Sequence, residues 1–91
     1  MGVGLMKGEF HYTTNSGVEL WYRRWKTIYR IMLQDARATK SCVRAEVLIC
    51  GHLSYWLEVS PKGLVTRVYL TKDEEGRHDK EPLFSLSRPD E

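Results

Sequence analysis

Apolar and polar residues alternate most regularly between positions 43 and 70. Val43, Ala45, Val47 and Ile49 form one series and Leu53, Tyr55, Leu57 and Val59 a second; Leu64, Val68 and Leu70 form a third, interrupted at Thr66. A two-residue period belongs to strands with one buried face, so it predicts strands over 43–49, 53–59 and 64–70. Ser60-Pro61-Lys62-Gly63 carries the residue preferences of a type I turn, which sets Val59 opposite Leu64 and Leu57 opposite Thr66. A three-residue loop, Cys50-Gly51-His52, sets Ile49 against Leu53; a two-residue loop would turn one apolar face outward. On the other face this register pairs Arg44 with Glu58, Glu46 with Trp56, and Trp56 with Arg67, giving an ion pair and a cation over an indole.

Upstream, segments 8–14 and 18–24 flank Asn15-Ser16-Gly17, which suits a three-residue hairpin loop with glycine in the left-handed region. Pairing across it sets Tyr12 against Leu20 and Phe10 against Tyr22. The ten residues 13–22 resemble the opening hairpin of the α/β-hydrolases; the resemblance implies the hairpin alone, since no Gly-x-Ser-x-Gly elbow follows. A competing reading starts a helix at Ser16, with Glu19 completing a capping box. Beyond the hairpin, Trp25, Ile28, Tyr29, Met32 and Ala36 share one helical face, while Lys26, Arg30, Gln34 and Arg37 fall opposite. The spacing predicts a helix over 25–37, in competition with an extended strand in which Trp25, Thr27, Tyr29, Ile31 and Leu33 alternate.

After Lys72 the apolar period stops. Residues 73–81 read as a solvated loop, and 82–86 as an edge strand or a docking segment, followed by a frayed end. The expected organisation is one basic globular domain over 1–72 and an acidic loop and tail over 73–91. Its fold class is α+β, an antiparallel sheet of about five to six strands with one helix packed on it; a small all-β barrel is the alternative.

Charge sharpens this division. Residues 1–72 hold eleven Lys and Arg against five Asp and Glu, whereas 73–91 hold three against seven, so a net of +2 conceals a basic body and an acidic end. A basic body favours an anionic partner, and the acidic end either solvates the protein or competes for the same surface. The chain shows no signal-peptide pattern and no apolar run of the roughly 20 residues a spanning helix needs. A cytoplasmic protein with no membrane contact is expected. Cys42 and Cys50, about 27 Å apart if the chain between them is extended, cannot form a bridge and read as reduced thiols.

The segment Trp21-Tyr22-Arg23-Arg24-Trp25-Lys26, continued by Arg30, is the leading functional candidate. Aromatic planes for bases beside cations for phosphates are what single-stranded nucleic acid binding requires. Trp21, Arg23, Arg24, Lys26 and Arg30 are therefore the expected nucleic-acid or anion contacts, against the plainer reading of aromatic core and solvated charge. No zinc-finger spacing, RNP-type motif or Gly-x-x-Gly loop accompanies them. Arg44, Trp56, Arg67 and Tyr69 form a second expected surface, for a protein partner or a second copy of the chain in a homodimer. Cys50-Gly51-His52 lacks repeated ligand spacing, and Ser54, His52 and Cys50 lack a catalytic arrangement, so no metal, cofactor or catalytic residue is expected. The function these features favour is non-enzymatic binding of an anionic partner, single-stranded nucleic acid first.

Overall fold

The computed structural model describes residues 9–83. Six strands, β1 (Glu9–Thr13), β2 (Glu19–Tyr22), β3 (Val43–Ile49), β4 (His52–Val59), β5 (Val65–Lys72) and β6 (His78–Pro82), and one helix, α1 (Trp25–Thr39), make up the fold. All strand pairs are antiparallel, in the order β2-β1-β3-β4-β5-β6. Among the described residues β2 and β6 are the edges of the sheet and do not pair with each other, so it is open rather than a barrel, and α1 covers one face.

The helix forms where the 3.6-residue period demanded it. Ile28, Tyr29, Met32 and Ala36 are buried, whereas Lys26, Arg30, Gln34 and Arg37 are exposed, so burial of one stripe outweighs the low helix propensity of the aromatic and β-branched residues. Lys40 ends the helix in the left-handed conformation at φ 58°, and Ser41 N–H donates to the Ala36 carbonyl at 3.2 Å. Against the helix the sheet presents Tyr12, Ala45, Val47, Leu57, Val59 and Val65, with Phe10, Leu20, Tyr22 and Tyr55 around them. Tyr12 is buried and its hydroxyl donates to Asp35 Oδ2 at 2.7 Å, tying β1 to α1.

The first hairpin has the expected form. Thr14 N–H donates to the Val18 carbonyl and Gly17 N–H to the Thr14 carbonyl, both at 2.9 Å, and Gly17 takes φ 89°. Tyr12 pairs with Leu20 and Phe10 with Tyr22, and Ser16 lies in the turn rather than opening a helix.

The β4–β5 hairpin differs by one residue. Val59 pairs with Val65 and Leu57 with Arg67, not with Leu64 and Thr66. Gly63, at φ 91°, adds a residue to the turn, so that Ser60 and Leu64 close it and the loop has three residues instead of two. A one-residue shift exchanges the faces of β5. Val65 therefore enters the core, Leu64 and Leu70 are exposed, and Arg67 lies on the helix side, away from Trp56.

The β3–β4 hairpin departs from the expected loop but keeps the expected pairing in its body. Cys50 (φ 54°) and Gly51 (φ 80°) form a two-residue turn that pairs Ile49 with His52. An irregularity between Val47 and Leu48, opposite Ser54, absorbs the offset, so Arg44 still meets Glu58 and Glu46 still meets Trp56.

The reading of 73–81 as a solvated loop gives way at His78, where β6 begins and pairs with β5. No apolar period marks β6 because it is an exposed, charged edge; Lys80 reaches Glu58 at 3.6 Å and Glu81 accepts from Tyr69 at 2.6 Å. The expected strand over 82–86 lies mostly outside the described residues.

Three substitutions test these turns. Gly63 and Gly17 both have positive φ, but a Cβ at Gly63 would lie 2.9 Å from Tyr29 Oη whereas one at Gly17 meets open space. In urea denaturation Gly17→Ala should cost about 1 kcal/mol and Gly63→Ala about 2 to 3 kcal/mol, the excess measuring the Tyr29 contact. Cys50→Asn, which places Asn-Gly in a turn whose central residues both have positive φ, should raise stability by about 0.5 kcal/mol in the same assay.

Candidate anion-binding surface

Helix α1 begins without the groups that normally settle a helix N-terminus. Arg24 occupies the N-cap with no side-chain capping bond, the first turn has no acid, and Lys26 stands within it. The helix dipole makes this end positive, and two added cations make it more so. Lys26 and Arg30 sit four residues apart on the outer face, with Thr27 and Ile31 beside them. Together with Arg24 they line a shallow groove of about 440 Å3.

The only acid in α1 does not offset these charges. Asp35 accepts hydrogen bonds from Tyr12 Oη at 2.7 Å and from Asn15 N–H at 3.1 Å, which turns its carboxylate toward the first hairpin. Arg37, further along, donates to the Pro61 carbonyl at 3.2 Å. Among the described residues Arg24, Lys26 and Arg30 have no ion-pair partner. By contrast Arg44, Arg67, Arg77 and Lys80 each lie within 4 Å of a carboxylate.

The five expected contact residues fall into two groups. Trp21 and Arg23 alternate with Leu20 and Tyr22, which pack against the core, so they project on the open face of the sheet. Trp21 is 55% exposed and stacks on His11 at 4.1 Å; Arg23 lies 3.9 Å from Glu9. Arg24, Lys26 and Arg30 lie on the helix side. Trp25 tilts against Phe10 and Tyr29 at 5.4 and 5.6 Å and is half-buried, so the aromatic plane nearest the groove belongs to the core margin.

The second expected surface is divided by the sheet itself. Arg44 and Trp56 share the open face, with the guanidinium 5.9 Å from the indole centre and His78 meeting that ring edge-on at 5.1 Å. Beside them Val68 is fully buried although it faces away from the helix, paired with Trp56 on one side and Lys80 on the other. Arg67 and Tyr69 are on the helix side instead. There Arg67 lies 4.7 Å over Tyr55 and donates to Tyr69 Oη at 3.1 Å, and Tyr69 donates to Glu81 at 2.6 Å. The one-residue shift of β5 is the reason that Arg44, Trp56, Arg67 and Tyr69 do not form one patch.

Two features of the site escape sequence patterning. His11 has a carboxylate at each ring nitrogen, Glu46 at 2.7 Å and Glu19 at 3.0 Å, because three strands meet there. Its pairing with Trp21 followed from the first hairpin, but the β1–β3 contact brings together residues 35 apart in the chain. The groove itself required the helix to be placed. Cys42 and Cys50 are free and exposed, and no cluster of three or more metal-ligating side chains occurs among the described residues.

No described helix is long and apolar enough to cross a membrane. No protein-family model, curated protein or solved structure matches the chain at a significant level. The geometry therefore has to carry the functional reading alone.

Proposed function

We propose that this protein is a non-enzymatic binding domain for an anionic partner, with single-stranded nucleic acid as the partner class. The observation that carries the reading is the cluster of Arg24, Lys26 and Arg30 at the positive end of α1, which has no ion-pair partner among the described residues, whereas Arg44, Arg67 and Arg77 are each beside a carboxylate. Three neighbouring cations with no counter-charge among the described residues repel one another, and an external polyanion relieves that repulsion while releasing its own counterions.

An exposed aromatic favours a single strand over a compact anion. Trp21 presents its indole on the face of β2 away from the helix, and Arg23 and Arg24 join it to the helix along the β2 edge of the sheet. A strand running around this edge meets the indole on one side and the three cations on the other. Bases stack on the first and phosphates pair with the second. The acids Glu9 and Glu19 near Trp21 place most of the attraction on the helix side.

Fluorescence anisotropy with a labelled oligothymidine tests this. Three phosphate contacts give a slope of about −2 in log K against log salt, since each single-strand contact contributes about −0.7. Arg24→Ala combined with Arg30→Ala should weaken binding and flatten that slope. Trp21→Ala should cost about 1 to 3 kcal/mol with the slope unchanged. Absence of binding at low salt removes the reading, and an unchanged affinity of Trp21→Ala removes base stacking from it.

A further inference from the structure

Outside the basic groove, one titratable side chain is held by partners from two neighbouring strands. His11, on β1, has 16% side-chain exposure. Its Nδ1 is 2.7 Å from Glu46 Oε1 on β3 and its Nε2 is 3.0 Å from Glu19 Oε1 on β2. A neutral imidazole has one N–H and one lone pair, so it satisfies one carboxylate and directs its lone pair at the other. An imidazolium donates to both. The Trp21 ring stacked at 4.1 Å adds a further preference for the cation.

We propose that His11 is a proton-operated clasp: protonated, it ties the edge strand β2 to β1 and, through β1, to β3; on losing its proton it releases β2 together with Trp21. β2 is suited to this because it is four residues long and, among the described residues, lies at a sheet edge and pairs with β1 alone. The surrounding charges leave the two carboxylates in control. Glu9 and Arg23 face each other at 3.9 Å, and Arg44 on β3 is taken by Glu58 on β4 at 3.0 Å. Trp56 of β4 stands opposite Glu46, and α1 packs on the other face, where Tyr12 and Asn15 engage its Asp35.

Burial of the ring lowers the pKa of His11, but its hydrogen bonds to Glu46 and Glu19 and the charges of both acids outweigh that, leaving it above 6.5. A raised folded-state value means that the clasp's stabilisation is fully present below 6.5 and is lost as pH rises through the folded-state value. The release thus falls above pH 6.5. Trp21 and Arg23 belong to the contact surface proposed above, so any effect on partner binding rests on that reading; the clasp itself does not.

The test uses the full chain without ligand. Nuclear magnetic resonance from about pH 5.5 to pH 8.5 follows the His11 ring, the Trp21 indole N–H and amide exchange in β2 and β4. The expected result is a His11 transition above 6.5, a Trp21 shift that follows it, and β2 exchange that accelerates several-fold relative to β4 after correction for intrinsic rates. Glu19→Gln should lower the transition, and His11→Gln should abolish the pH dependence of β2. A transition at or below 6.5, or β2 protection that keeps step with β4 in the unmodified protein, overturns the proposal. Those two readings need no variant, so a variant that fails to fold does not protect it. Loss of oligothymidine binding with the clasp intact would count against the proposed function alone.

Discussion

Three of the hairpins in this sheet are closed by the same backbone device. In Thr14–Val18, Ser60–Leu64 and Asp73–Arg77 the first and fifth residues are joined by an N–H to carbonyl bond, at 2.9, 3.0 and 2.8 Å respectively. The fourth residue is a glycine at positive φ whose N–H returns to the carbonyl of the first. In each, the side-chain oxygen of the first residue also accepts from the backbone, Thr14 Oγ1 from Val18 N–H, Ser60 Oγ from Lys62 and Leu64, and Asp73 Oδ1 from Glu75 and Arg77. Because side chains alternate every residue, the single residue that the glycine adds decides which half of the following strand is buried. The core and the division of charge between the two faces both depend on it.

The fold also sorts its charges by whether they have an internal partner. Across the open face, Arg44 and Lys80 converge on Glu58, and Glu19 and Glu46 converge on His11. Such exposed pairs contribute little stability each, about 0 to 1 kcal/mol, but they lower the net field of that face. On the helix the opposite arrangement holds, since Asp35 is turned inward to Tyr12 and Arg24, Lys26 and Arg30 are left together. Burial of the Tyr12 hydroxyl, with the adjacent Asp35 carboxylate, raises its pKa well above the ordinary value, so this contact stays a neutral donor on a charged acceptor through the physiological range. An internal hydrogen bond that fixes β1 to α1 is thus also what leaves the helix surface basic.

Much of the architecture was legible in the pattern of residues. The helix lies within two residues of its expected end, the first hairpin has the expected register, and β3 begins and ends where the alternation does. These elements share a dominant local signal, either one apolar stripe or one alternating face. The misses have local causes too. In β5 the aliphatic series Leu64-Val68-Leu70 carries the hydropathy signal, but the turn sends Val65, Arg67 and Tyr69 to the helix side, where Arg67 lies over Tyr55. β6 was missed because hydropathy marks no charged edge strand, although Asp73-Glu74-Glu75-Gly76 repeats the pattern of polar residue, two others and glycine seen in the other two turns.

Of the candidate contacts, the chain itself identified the residue types and their nearness along the backbone: basic and aromatic residues within ten positions are close in any fold. Strand alternation and helical period then separate them, and the break between β2 and α1 at Arg23 and Arg24 sends Trp21 to one side of the sheet and Lys26 and Arg30 to the other. The amino-acid sequence by itself determined the fold class, the amphipathic helix and the excess of cations in the body, because each is a sum over neighbouring residues. Tertiary structure alone decided which cations lack an ion pair among the described residues and that His11 meets two carboxylates. Those outcomes depend on strands distant in sequence being aligned to within one residue, and no local sum contains that alignment.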